Sequence, residues 1–177
     1  MRTLALALTL VLSLSISVPA RAAVDETNAH RLNALGLFLG TGSGYDLGGS
    51  ATRLHGIIML TRILGEEDTA LPFDGPCPFS DVAAGKPSAY TGYAFAQGYT
   101  TGVSATTFHP GGALSFKHYV TFLLRALGYD DGAGDFTFAA SLDKAVEIGM
   151  MTRGSADCIL QKQYALYRGD LVDLSVS

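Results

Sequence analysis

Apolar positions recur at helical spacing in two stretches of this chain that read almost alike. Phe116, Tyr119, Val120, Leu123, Leu124 and Leu127 fall at i, i+3, i+4, i+7, i+8 and i+11, and Gly128 follows as a stop. Ile57, Leu60 and Leu64 repeat that stripe, closed by Gly65. Shorter apolar patterns mark further helices: Leu32, Leu35 and Leu39; Tyr90, Tyr93, Ala94 and Gln97; Leu142, Ala145, Val146 and Gly149. Turn-rich polar stretches separate them, Glu66 to Pro78 and Asp130 to Asp135. The pattern predicts an all-α chain of units, each a helix, a glycine-bearing loop and a second helix, with the stripes as core. Gly36, Gly98 and Gly149, near the ends of the first helices, are expected to take positive φ or to allow close backbone approach.

The likeness is an internal repeat. Tyr45 to Gly65 lies over Phe108 to Gly128 without a gap at an offset of 63 residues. Gly48 and Gly49 meet Gly111 and Gly112, His55 meets His118, and Arg62 meets Arg125. Upstream, Gly36 and Gly40 correspond to Gly98 and Gly102 with one residue of slip, and a weaker third copy runs from Gly149 to Tyr167-Arg168-Gly169-Asp170. Units of this kind bury their apolar faces on one another, so the fold is a property of the set.

The first 22 residues read as a secretory signal: Arg2, an apolar run from Leu4 to Val18, and a small-x-small site at Ala20-Arg21-Ala22. The run is short for a membrane span. Cleavage after Ala22 removes two arginines and no acid, taking Lys+Arg from 12 to 10 against 16 Asp+Glu, a net of −6. A chain so acidic is not expected to bind nucleic acid, and no membrane contact is expected once the signal is gone. Cys77 and Cys158 can form one disulfide or stay as two free thiols. His30, His55, His109 and His118 show no metal-ligand spacing with them, and no cofactor is implied.

The second unit carries the motifs most fully: Pro78-Phe79-Ser80-Asp81-Val82, Gly98-Tyr99-Thr100-Thr101-Gly102, Phe108-His109-Pro110, then a helix ending Leu124-Arg125-Ala126-Leu127-Gly128. This resembles the S-layer homology module, whose pattern is Phe-x-Asp-Val, a helix ending at Gly, a Gly-x-Phe-x-Pro loop and a Thr-Arg-Ala-Glu tetrad opening a second helix. The resemblance implies three consecutive modules, 23–66, 67–131 and 132–177, in pseudo-threefold arrangement around a central bundle whose helices begin near Arg53, Phe116 and Arg168. The third has nine residues after Arg168, whereas the first has 12 from Arg53 to Gly65; its last helix is expected to be clipped, as in a fragment of a longer surface protein.

The resemblance also implies a function. Such triplets bind secondary polysaccharides of the bacterial cell wall non-covalently, often through pyruvylated sugars held in grooves between modules. It places the chain, secreted, at the cell surface with wall polysaccharide and other S-layer or surface proteins as partners. A Thr cap with an acid three residues on places the intervening Arg at the positive end of a helix, a natural carboxylate site. Thr52 and Arg53 match the tetrad in the first unit, and Arg168 and Asp170 in the third. His55 and His118 replace the acid, Tyr167 replaces the third cap, and Phe116 stands where the second arginine would be. Lys117 is a further candidate, although on a helix it points about 100° away. Gly40 and Gly102 in the flanking loops would let a sugar approach the backbone.

Without the repeat, Arg53 and Arg168 would read as surface cations paired with acids. Tyr90, Tyr93, Phe95 and Tyr99 offer either a stacking surface for sugar or packing between helices. Asp81, Asp131, Asp143 and Glu147 lie at turn or surface positions, and no Ser/His/Asp or Cys/His set recurs with a motif, so the chain is not expected to be an enzyme. A wall-associated hydrolase or its fragment, and a peptide-binding surface adaptor, are the alternatives.

Overall fold

A computed structural model describes residues 25–162 and 165–176; the signal segment 1–22 lies outside the described residues. Helices α2 (Arg53–Ile63) and α5 (Phe116–Ala126) begin at the same point of the repeat, and for the same reason. Thr52 and Ser115 sit extended at the N-cap, and their hydroxyls accept from the backbone N–H of His55 (3.3 Å) and His118 (3.2 Å). The cap residues' own N–H groups donate back to Nδ1 of the same histidines, at 3.2 and 3.4 Å. Histidine thus completes the reciprocal cap that glutamate usually completes, a feature worth about 1 kcal/mol per helix.

The other helices are α1 (Thr27–Ala34), α3 (Glu67–Ala70), α4 (Lys86–Ala96), α6 (Ser141–Glu147), α7 (Arg153–Lys162) and α8 (Arg168–Leu174). The described chain is mostly helical, with isolated bridges in place of strands. None of its helices is long and apolar enough to cross a membrane.

Three backbone hydrogen bonds close a ring at the start of α2, α5 and α8. Ala51 N–H donates to Leu166 O (2.8 Å), Leu166 N–H to Leu114 O (2.7 Å), and Leu114 N–H to Ala51 O (2.9 Å). Each residue stands two before a tetrad position, and all three are fully buried. Because every member both donates and accepts, the three segments satisfy one another's polar groups in a place water does not reach. Around this ring α2 packs on α4 and α5, α5 on α6, α6 on α7, and α1 on α8, with α3 against α2 and α4. Gly56 of α2 lies against Leu114: a Cβ there would lie 2.9 Å from Leu114 Cδ2, so that side chain would have to shift.

The glycine expectations hold. Gly36, Gly98 and Gly149 end their helices at φ of 73°, 77° and 76°. The only non-glycine residues with positive φ among those described, Asp46 and His109, are themselves repeat partners 63 residues apart.

Other expectations need correction. Leu64 and Leu127 are not core: each is a C-cap, 39% and 62% exposed. α1 stops at Ala34, which leaves Leu35 and Leu39 exposed while Phe38 turns inward. Between α6 and α8, where the unit pattern predicts a loop, the chain forms the further helix α7. The last helix is short, as expected: α8 has seven residues where α2 and α5 each have 11. Of the two states left open for the cysteines, the structure has free thiols: Cys77 is half-buried beside Thr91 (3.4 Å), and Cys158 is exposed on α7.

Candidate functional site

Arg53 and Arg168 occupy matching settings, each inserted into the loop of a different unit. The N–H of Arg53 donates to Gly112 O (2.9 Å) and that of Arg168 to Gly49 O (2.8 Å), and Gly49 and Gly112 are repeat partners. Their side chains keep the same relation. Arg53 Nε donates to Phe108 O at 2.8 Å and Arg168 Nε to Tyr45 O at 3.2 Å, again repeat partners. One guanidinium lies 4.8 Å above the Phe108 ring, the other 5.1 Å above Phe38. Asp81 braces the loop that receives Arg53, accepting from the N–H of Phe108 (2.9 Å) and His109 (2.7 Å).

Both arginines are buried, at 4% and 8% exposure. They are not the surface cations paired with acids that sequence alone left open. Among the described residues neither has a carboxylate within ion-pair distance, and their terminal nitrogens make no hydrogen bond. Ring faces and carbonyls offset part of the desolvation of such a cation, but not all of it. Burial accordingly pulls the pKa of each below the ordinary arginine range; for Arg53 the neighbouring Arg125 adds to the effect.

Each arginine opens onto a groove. One groove, of about 290 Å³, is lined by Arg168, Gly40, His55 and Arg62, with Leu37, Phe38, Leu39, Ile58, Met59 and Leu171 as apolar wall. The other, of about 320 Å³, is lined by Arg53, Gly102, His118 and Arg125, with Val103, Thr121, Phe122, Asp131 and Phe138. The first four residues of each correspond position by position. Gly40 and Gly102 have φ of 71° and 77°, and a Cβ on either would strike a backbone oxygen at 2.7 Å or less. These glycines are required by the loop itself, and they leave the groove wall as bare backbone.

The histidines contribute neutral donors. Nδ1 accepts from a backbone N–H, so the proton of the neutral ring is on Nε2. Burial lowers both pKa values, that of His118 to about 4, with Arg53 adding to it; for His55 the nearby Arg168 also lowers it and Asp46 opposes. Arg62 and Arg125 are already neutralised. Arg62 Nε donates to Glu67 Oε1 (2.8 Å), which also accepts from the Tyr90 hydroxyl, and Arg125 grips Asp131 with two bonds of 2.7 and 2.8 Å. Each groove therefore offers one guanidinium with no ion-pair partner among the described residues, on the buried arginine, which Asp81 (for Arg53) and Asp46 (for Arg168) favour only from beyond contact.

The corresponding corner at α5 is different. Phe116 stands in the arginine position of a cavity of about 620 Å³, whose other walls include Gly154, Cys158, Asp170, Asp173 and Leu174. Asp170 accepts from Tyr167 N–H (2.8 Å), and Asp173 from Asn28 Nδ2 (2.9 Å).

Among the sequence candidates, the structure thus joins Arg168 with Gly40 and Arg53 with Gly102. Thr52 is a helix cap and lines neither groove, and Asp170 belongs to the third corner. Lys117 donates to Ala139 O (3.0 Å) and lines an adjoining cleft of about 570 Å³. Tyr90, Tyr93 and Tyr99 are buried between helices, with the Tyr99 hydroxyl on Glu66 at 3.0 Å, so they pack and present no stacking surface. Burial first, then the glutamate bonds, pushes the Tyr90 and Tyr99 hydroxyls up to about 12. Sequence reasoning missed Arg62 and Arg125 as groove walls, although their match at the 63-residue offset was the available signal. No group of histidine, cysteine and acidic side chains among the described residues could hold a metal ion. Neither a family model nor a curated protein matches the chain.

Proposed function

We propose that the chain is a triplet of S-layer homology modules that anchors to the bacterial cell wall by gripping secondary, pyruvylated polysaccharide in the grooves between units. The ring of Ala51, Leu114 and Leu166 supports a pseudo-threefold arrangement, because corresponding residues of three units stand in one cyclic relation. The observation that carries the functional reading is the pair of buried arginines with no carboxylate partner, each facing a groove. A carboxylate entering there would meet a guanidinium fork in a site of reduced solvent, together with the imidazole lining the same groove. A ketal-linked pyruvate supplies one such carboxylate per sugar, one for each arginine without an ion-pair partner.

The test is titration of the protein with purified wall polysaccharide before and after mild acid removal of pyruvate. Binding to the first and not the second is expected. Equal binding to both would remove the carboxylate from recognition, and turnover of the polymer would return the hydrolase alternative.

A further inference from the structure

The Arg53 groove does not end at its own walls. His118 and Phe138 line it on one side and line the adjoining cleft on the other. Phe138 is 44% exposed, and its ring lies 5.0 Å from the His118 ring, tilted by 38°. The two form a ridge between the cavities, with Lys117, Leu142 and Leu160 beyond it. The Arg168 groove has no such continuation through His55 among the cavities described.

We propose that this ridge and cleft form a second subsite for the same polymer, holding the sugar next along the chain from the one whose carboxylate sits on Arg53. The inference rests on the reading of the grooves as polysaccharide sites. The occupant is argued from continuity: the cleft meets the Arg53 groove at the His118 and Phe138 ridge, so a ligand held on Arg53 and extending over that ridge enters the cleft. Each has a volume in the range of roughly 300–1,000 Å³ usual for ligand pockets. The chemistry fits a neutral or N-acylated hexose. Its C–H face is apolar and weakly positive and matches the negative face of an exposed phenyl ring. Leu142, Leu160 and Ile159 offer an apolar floor to a methyl or acyl group, and Lys117 stands at the cleft wall beside its hydrogen bond to Ala139. The second site therefore reads sugar faces, where the first reads charge.

The probes are a methyl glycoside of a single ketal-pyruvylated hexose and oligosaccharides of increasing length cut from the same wall polymer. Wild type is expected to bind the oligosaccharides more tightly than the monosaccharide. Leu160→Asp, a change at an exposed side chain that lines the cleft and not the Arg53 groove, should weaken oligosaccharide binding by about three- to tenfold and leave the monosaccharide unchanged. Phe138→Ala, which alters a wall common to both cavities, should weaken oligosaccharide binding more than monosaccharide binding. Length-independent affinity in wild type, or equal loss for both probes in Leu160→Asp, overturns the subsite while the Arg53 groove stands. Failure of the wild type to bind either probe overturns the groove reading itself.

Discussion

The grooves at Arg53 and Arg168 and the corner at Phe116 share a position in the repeat and differ in almost every functional group. The first two present a buried guanidinium, a neutral histidine and an ion-paired arginine. The third presents a phenyl ring, Asp170 and Asp173. Yet the backbone ring treats all three alike. Burial and hydrogen bonding at the centre constrain every unit, so the centre keeps its geometry. The grooves lie outside that ring, and Phe116 shows that a unit without the arginine keeps its place in it.

The largest effect is expected at the part all three share. Leu114→Ala should lower stability by about 2–5 kcal/mol, since the side chain is fully buried against Gly56 and its removal leaves a cavity. Chemical denaturation measures this, and a small loss would mean that the Leu114 side chain is not a principal core contact beside the ring.

Next come the arginines. Arg53→Ala and Arg168→Ala should each weaken binding of pyruvylated polymer by about 1–3 kcal/mol, the range for hydrogen bonds to charged groups. Arg→Lys should rescue only in part, because an ammonium lacks the fork. Calorimetric titration separates these outcomes, with circular dichroism as the check on folding.

The comparison can also be sharpened by converting the third corner. Phe116→Arg alone should fall short of a new site, because Asp170 and Asp173 line that cavity and would hold the guanidinium themselves. Phe116→Arg with Asp170→His and Asp173→Thr brings the arginine, histidine and threonine of the Arg53 groove to this corner, without a counterpart of Arg125, and should add binding weaker than that groove's. If the single change suffices, the acids do not matter.

The smallest effect concerns pH. His118 has its folded pKa lowered to about 4, against an ordinary value near 6.5, so the unfolded chain binds the extra proton first. Its contribution is present above pH of about 6.5 and is lost as pH falls toward 4. The melting temperature should therefore decline across that window, and His118→Gln, which keeps a capping side chain, should flatten the decline. A decline of the same size in both proteins would assign it to other groups.

Much of the fold was legible in sequence because it rests on local rules. The stripe from Phe116, the capping position at Thr52, and the glycines ending α1, α4 and α6 are fixed by helical period and by backbone φ. Leu64 and Leu127 misled because periodicity continues past the last hydrogen-bonded turn, where the chain has already left the core. α3 and α7 were missed because short polar helices carry little periodicity. The grooves were only half legible. Arg53 and Gly102 could be named from their motifs, but their meeting depends on how one unit packs on the next. Likewise the neutralisation of Arg125 by Asp131 is a tertiary event that spacing does not announce.

The number of sites tests the two-against-one difference most directly. Titration calorimetry with a monovalent pyruvylated sugar should give two sites per chain in the wild type, one at each buried arginine. It should give one site in Arg53→Ala or Arg168→Ala, and none in the double variant. Three equivalent sites in the wild type, or an unchanged count in the double variant, would contradict it.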